Sequence, residues 1–289
     1  MNNSIEIKNL TKKYTNFTLN NINLDIKSGS IIGLIGENGA GKTTLIKSIL
    51  NLIKPDNGEI KIFGKDINSN EREIKEDIGV VLDNAFFPEI FKVRDIAIVM
   101  RNTYKNWDDN LFNKYLLDFN IPNQKISTLS KGMKKKLEIL TALSHHPKLL
   151  ILDEPTSGLD PVFRDEILDI FLDFIGDEEH TILLSSHITS DLEKVSDYIV
   201  FINKGEVVLD EEKDTLIENY GIVITDEETF NKIDKEYIVR YKKNRYNYEI
   251  LTADKTKLKK KYKDLEIDKP TVEQIMIMYI KGAVKWKDS

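Results

Sequence analysis

Nine consecutive residues constrain this chain more than anything else in it: Gly36-Glu37-Asn38-Gly39-Ala40-Gly41-Lys42-Thr43-Thr44. They follow the apolar run Ile31-Ile32-Gly33-Leu34-Ile35 and precede a helical-looking segment, residues 45–50. A G-x-x-x-x-G-K-[ST] loop between a strand and a helix is a phosphate cradle. Glycines let backbone N–H groups turn inward toward phosphate oxygens, and the helix behind them points its positive end at the same place. Gly36, Asn38, Gly39, Ala40, Gly41 and Thr44 therefore line the cradle. Lys42 reaches the β- and γ-phosphates, and the Thr43 hydroxyl is placed to ligate Mg²⁺. The loop implies a nucleoside triphosphate, and it commits the chain to an α/β fold.

Length and composition narrow the rest. The 289 residues allow one large domain plus an appendage, at the usual ~100–200 residues per domain. A net charge of −6, with acids and bases well mixed, disfavours nucleic acid as a partner. The absence of cysteine excludes disulfides, thiolate nucleophiles and Cys-ligated metals. No apolar stretch approaches the ~18 residues of a membrane span, and Met1-Asn2-Asn3-Ser4-Ile5-Glu6 lacks a signal-peptide pattern. The expectation is a cytoplasmic protein, with any membrane role coming through a partner.

Alternating segments at 5–10 and 19–26 predict antiparallel strands ahead of the loop. Short strands are predicted at 58–64 and 78–82, and residues 90–145 turn helical, as an inserted subdomain would. The runs at 149–152 and 181–184 flank a helical segment, 163–175, giving a β-α-β unit and a parallel core sheet. Residues 198–202 and 205–209 read as a hairpin turning at Asn203-Lys204. After residue 214 the sequence becomes charged and Tyr/Lys-rich, with weak strands at 222–224 and 237–239. The domain reading is a nucleotide-binding unit, 1–214, with a helical subdomain at about 88–145, and a small accessory or dimerisation region, 215–289.

The strand 149–152 ends in Asp153-Glu154. Asp153 suits Mg²⁺ coordination, because Mg²⁺ takes oxygen ligands and keeps several waters. Glu154 is placed to orient or deprotonate an attacking water.

About twenty residues earlier, Leu129-Ser130-Lys131-Gly132-Met133 opens an amphipathic helix. With Ser157-Gly158-Leu159-Asp160, Ser186-His187 and Tyr14, in this order and spacing from about residue 5 to 210, the chain resembles ATP-binding-cassette (ABC) ATPases. The resemblance implies a P-loop cassette: a mixed core sheet, an antiparallel β subdomain, an inserted α-helical subdomain and a small α+β extension. It implies ATP and Mg²⁺ as cofactors and hydrolysis of ATP to ADP and phosphate. By it Tyr14 stacks on adenine, and Ser130 and Gly132 bind the γ-phosphate of a nucleotide held by a second subunit. His187 contacts that phosphate, and Asp160 links the two sites. The subunits, two copies or one copy with a paralogous ATPase, would then pack head to tail. The basic run Lys134-Lys135-Lys136 is expected on a solvated helix face.

Two departures from the family pattern stand out. Leu-Ser-Lys-Gly-Met replaces Leu-Ser-Gly-Gly-Gln while keeping Ser130 and Gly132. Asp83 stands where the family has a glutamine that senses Mg²⁺ and water, and is expected to keep a sensor role near the metal. The segment Asn84-Ala85-Phe86-Phe87-Pro88-Glu89-Ile90-Phe91 lies where an integral membrane subunit docks in the family, so Phe86 and Phe87 are expected at that contact. Within the family the chain looks like exporters of the bacitracin-resistance and phenol-soluble-modulin type, with peptide or amphipathic cargo. A non-transport, single-cassette ATPase is the alternative. In the tail, Thr271 and Gln274 form a capping box ahead of an apolar helix, buried against its own chain or a second subunit, and the lysines at 257–263 read as a solvated helix.

Overall fold

A computed structural model describes residues 3–83, 87–176 and 179–284. In chain order it begins with strands β1 (Asn3–Lys13), β2 (Thr18–Lys27) and β3 (Ile31–Ile35), then α1 (Lys42–Ile49). β4 (Asn57–Ile62), β5 (Lys65–Asp66), α2 (Ile67–Glu76) and β6 (Ile78–Val81) follow. Helices α3 (Val93–Thr103), α4 (Asp109–Asp118) and α5 (Lys131–Leu143) separate β6 from β7 (Leu149–Asp153). Then come α6 (Pro161–Ile175), β8 (Thr181–Ser186), α7 (Thr189–Val195), β9 (Tyr198–Asn203) and β10 (Glu206–Glu212). The last part holds α8 (Lys213–Asn219), β11 (Gly221–Thr225), α9 (Glu227–Lys232), β12 (Arg240–Lys243), β13 (Tyr248–Thr252), α10 (Lys255–Lys261) and α11 (Val272–Lys281).

The continuous apolar runs form one six-stranded sheet in the order β10-β9-β3-β8-β7-β6, parallel throughout except for β10 at the edge. Strands buried on both faces need no polar alternation. Leu150 and Leu152 of β7 face one apolar cluster, with Leu140 of α5 and Ile167 of α6, while Leu149 and Ile151 face another. That second cluster is shared with α1 and the antiparallel sheet β2-β1-β4-β5. The mixed sheet, antiparallel β layer and helical insertion match the sequence expectation. The tight turn between β9 and β10 falls at Lys204-Gly205, where both φ angles are positive (49° and 82°), rather than at Asn203-Lys204. That is the backbone a two-residue hairpin needs, and glycine supplies it.

Two further expectations are corrected. Residues 235–237 form a single 3-10 turn, and the strand lies at Arg240–Lys243 instead. Lys135 and Lys136 are buried, not solvated. Lys135 lies 2.9 Å from the buried Glu138 carboxylate. Lys136 pairs with Glu166 and sits 4.3 Å from the Phe163 ring centroid. Flanking helices cover α5 here, and the long aliphatic stems fill the gap while the ammonium heads find partners. Burial outweighs Lys135 at Glu138 and raises its carboxyl above the ordinary range.

The C-terminal strands form a small sheet, β11-β13-β12, over its own core of Val223, Phe230, Ile250 and Leu258. Lysines 257, 259, 260 and 261 of α10 are exposed while Leu258 is buried, as a solvated helix requires. The capping box at Thr271 and Gln274 opens α11. This helix leaves the small core: Val272, Ile275 and Met278 join the apolar cluster that holds Ile182, Leu192 and Phe201.

Candidate active site

The carboxyl ends of β3, β7 and β8 bring Lys42, Thr43, Asp153, Glu154 and His187 together, as parallel sheets do at their C-terminal edge. Gly39 and Gly41 adopt positive φ (82° and 119°), a conformation available to glycine without steric cost. Gly41 thereby serves as the residue ahead of α1, whose first member is Lys42. The Lys42 ammonium is buried, donates to the Gly36 carbonyl at 2.8 Å and lies 3.5 Å from Glu154 Oε1. Thr43 donates its hydroxyl to Asp153 Oδ2 at 2.9 Å, and Ser185 donates to Asp153 Oδ1 at 2.6 Å. Both oxygens of this buried carboxylate are therefore fixed in direction.

Glu154 adopts φ 52°, left-handed backbone that a glutamate rarely takes. Its N–H donates to the Ser185 carbonyl and hydroxyl, both at 3.1 Å, which holds the strained residue in place. The carboxylate projects between Lys42 and His187. His187 sets Nδ1 2.6 Å from Glu154 Oε2 and donates its backbone N–H to the same oxygen at 3.3 Å. These groups open on a cleft of about 500 Å³ lined by Phe17, Asn38, Lys42, Asp83, Glu154 and His187, among others. Its size suits a nucleotide.

Asp83, read from sequence as a departure, lies in this cleft. Phe17 was not anticipated: its ring stands over Gly41, 2.9 Å from where a Cβ would project. Tyr14, expected at the adenine, is exposed and 6.4 Å from Phe17 between ring centroids, on the same turn but outside the cleft lining. Only a three-residue spacing from Tyr14 hinted at Phe17.

Ser130, Gly132 and Asp160 do not join the cleft. Ser130 caps α5, accepting from Met133 N–H at 3.2 Å, and Gly132 packs on the Phe163 ring. Asp160 caps α6, accepting from Val162 and Phe163 N–H. Phe87 borders two hollows at the base of the helical insertion, of about 340 and 170 Å³; Phe86 lies outside the described residues.

The ABC transporter family model matches residues 19–157. The bacitracin transport ATP-binding protein BcrA of Bacillus licheniformis is 34% identical over 212 residues, 72% of this chain and 69% of that protein. The lantibiotic transport ATP-binding protein SrtF of Streptococcus pyogenes is 36% identical over 213 residues, covering 73% of this chain and 91% of SrtF. The chain belongs to the ATP-binding proteins of ABC transporters. A solved ATP-binding subunit of an ABC transporter superposes with a TM-score of 0.67 at 27% identity, over 73% of this chain and 91% of that one. As an ABC ATPase the chain binds and hydrolyses ATP, and its fold is the P-loop cassette.

Proposed function

We propose that ATP is held between two ABC subunits packed head to tail, and that its hydrolysis drives a separate membrane subunit exporting peptides or amphipathic antimicrobial compounds. One observation carries the reading: the helix N-terminus of Ser130 and Gly132, suited to an anion, stands apart from the cleft that holds Lys42, Glu154 and His187. A nucleotide in that cleft meets this second phosphate-binding element only on another subunit, a second copy or a paralogue. Asp160, beside Gly158 in the same exposed turn region, would lie near the junction.

Within one cleft Lys42 binds the β- and γ-phosphates. Glu154 orients the attacking water and takes its proton. His187 fixes the Glu154 carboxylate through the 2.6 Å contact and reaches the γ-phosphate. The Thr43 hydroxyl and Asp153 carboxylate are hard oxygen donors that fit Mg²⁺ and would hold it, with Asp83 as a further oxygen near the γ-phosphate. Bound there, Mg²⁺ neutralises phosphate charge.

Residues 1–214 carry these groups and residues 215–289 form the accessory region. No helix among the described residues is long and apolar enough to cross a membrane, so contact with the cytoplasmic membrane face would come through the partner, docked by Phe87 and its neighbours. The names of BcrA and SrtF, for bacitracin and lantibiotic transport, support a cargo of that kind.

The test combines two variants. Glu154→Gln should lower ATP turnover by about 10²–10⁴-fold and, with Mg-ATP, elute as a dimer in size-exclusion chromatography. Adding Ser130→Arg should return it to monomer. Near-normal turnover of Glu154→Gln, or a dimer indifferent to Ser130→Arg, would refute the reading.

A further inference from the structure

The apolar helix α11 ends up against the catalytic half of the molecule. It packs on α7, the helix that starts two residues after His187. We propose that Glu193 of α7, by capping α11 at Val272, is a positioning residue that lets the C-terminal region hold His187 against Glu154. The inference rests on the reading of Glu154 and His187 as the catalytic pair.

The connection runs through hydrogen bonds and packing on one short element. Glu193 Oε1 accepts the Val272 N–H at 2.6 Å. Val272 is the first residue of α11, so its N–H has no acceptor within its own helix. Thr271 satisfies Gln274 in that turn, and Glu193 satisfies Val272 from outside it. A carboxylate at a helix N-terminus also meets the positive end of the helix dipole. Two residues earlier on α7, the buried Asp191 accepts the Thr156 hydroxyl at 2.7 Å. Thr156 stands two residues beyond Glu154. Leu192 and Val195 are buried in the cluster that also takes in Val272, Ile275 and Met278.

Thus α7 is gripped from both sides: by the segment after Glu154 through Asp191, and by α11 through Glu193. Its N-terminal end leads directly to His187. Ile188, the residue between, donates its N–H to Ser186 Oγ at 2.9 Å, so little slack separates helix from histidine. The 2.6 Å contact of His187 with Glu154 depends on where α7 sits, and α11 fixes that place.

The full-length chain gives the test, with kcat and KM for Mg-ATP, the Kd for ADP and the thermal midpoint read in parallel. Glu193→Ala should lower kcat by about 5- to 100-fold, the range expected when reacting groups shift by up to about 1 Å, with ADP affinity little changed. Glu193→Gln keeps an acceptor oxygen and should recover most of kcat. Val272→Pro removes the same bond from the other side. Proline suits the first helical position, and Thr271 already has the extended backbone (φ −85°, ψ 161°) required before proline. It should reproduce the kcat loss, and the double variant should be no slower than the slower single one. An unchanged kcat in both single variants overturns the proposal. So does a loss of kcat matched by an equal loss of ADP affinity, which marks general loosening. The catalytic-pair reading fails separately, if Glu154→Gln turns over like the wild type.

Discussion

At the scale of residues, the groups legible in the sequence are those whose chemistry is written in consecutive positions. The loop from Gly36 to Thr44 places its own backbone, and Asp153-Glu154 is aimed by the strand that ends in it. Phe17 shows the limit. Its place over Gly41 comes from the first strands folding back on the loop, and no local pattern encodes that distance. An aromatic ring beside the phosphate cradle offers a face on which a base can stack, at about 1–3 kcal/mol per base. Phe17→Ala should therefore weaken ATP binding by at least about fivefold, and Tyr14→Ala by less. Binding of inorganic tripolyphosphate, which has no base, should not change in either variant. Titration calorimetry with both ligands decides it: if tripolyphosphate weakens as much as ATP in Phe17→Ala, the ring supports the loop rather than the base.

At the scale of elements, period and punctuation located most strands and helices, because both faces of the core sheet are buried and the turns are glycine-marked. The charge run on α5 misled for a physical reason. Lysine is read as a surface residue, yet a helix covered by its neighbours buries whatever it carries, and here nearby carboxylates make that tolerable. The buried pair Lys135–Glu138 gives a sharp expectation. Removing one partner leaves a buried charge alone and costs about 3–5 kcal/mol, whereas replacing both with apolar residues of similar volume is near neutral or stabilising. Glu138→Leu should accordingly lower the urea midpoint strongly, and Lys135→Met combined with Glu138→Leu should restore it. A double variant as unstable as the single one would mean that the pair is held by more than its own charges.

At the scale of the whole molecule, the sequence separated an ATP-handling unit from an appendage, but the structure ties the two. The sheet β11-β13-β12 has a core of its own, while α11 belongs to the core of the cassette. Strand order in that small sheet and the docking of α11 depend on contacts between residues far apart in sequence, which neither composition nor period records. Two hollows lie where the helical insertion meets β6. Phe87 borders both hollows there, and Ile90, Ile98 and Val99 nearby in sequence are exposed. Apolar side chains gathered around hollows favour a protein partner. The residues lining these hollows do not line the cleft of Lys42 and Glu154, so the two functions should be separable by mutation. Phe87→Ala should leave ATP turnover of the isolated subunit within about twofold, since truncation away from reacting groups removes no transition-state contact. In cells that co-express a membrane subunit binding the wild-type ATPase, the same variant should shift the ATPase from the membrane fraction to the soluble fraction, as removal of a central aromatic anchor does at other interfaces. Retention of Phe87→Ala on membranes at the wild-type level would move the docking site elsewhere on the cassette.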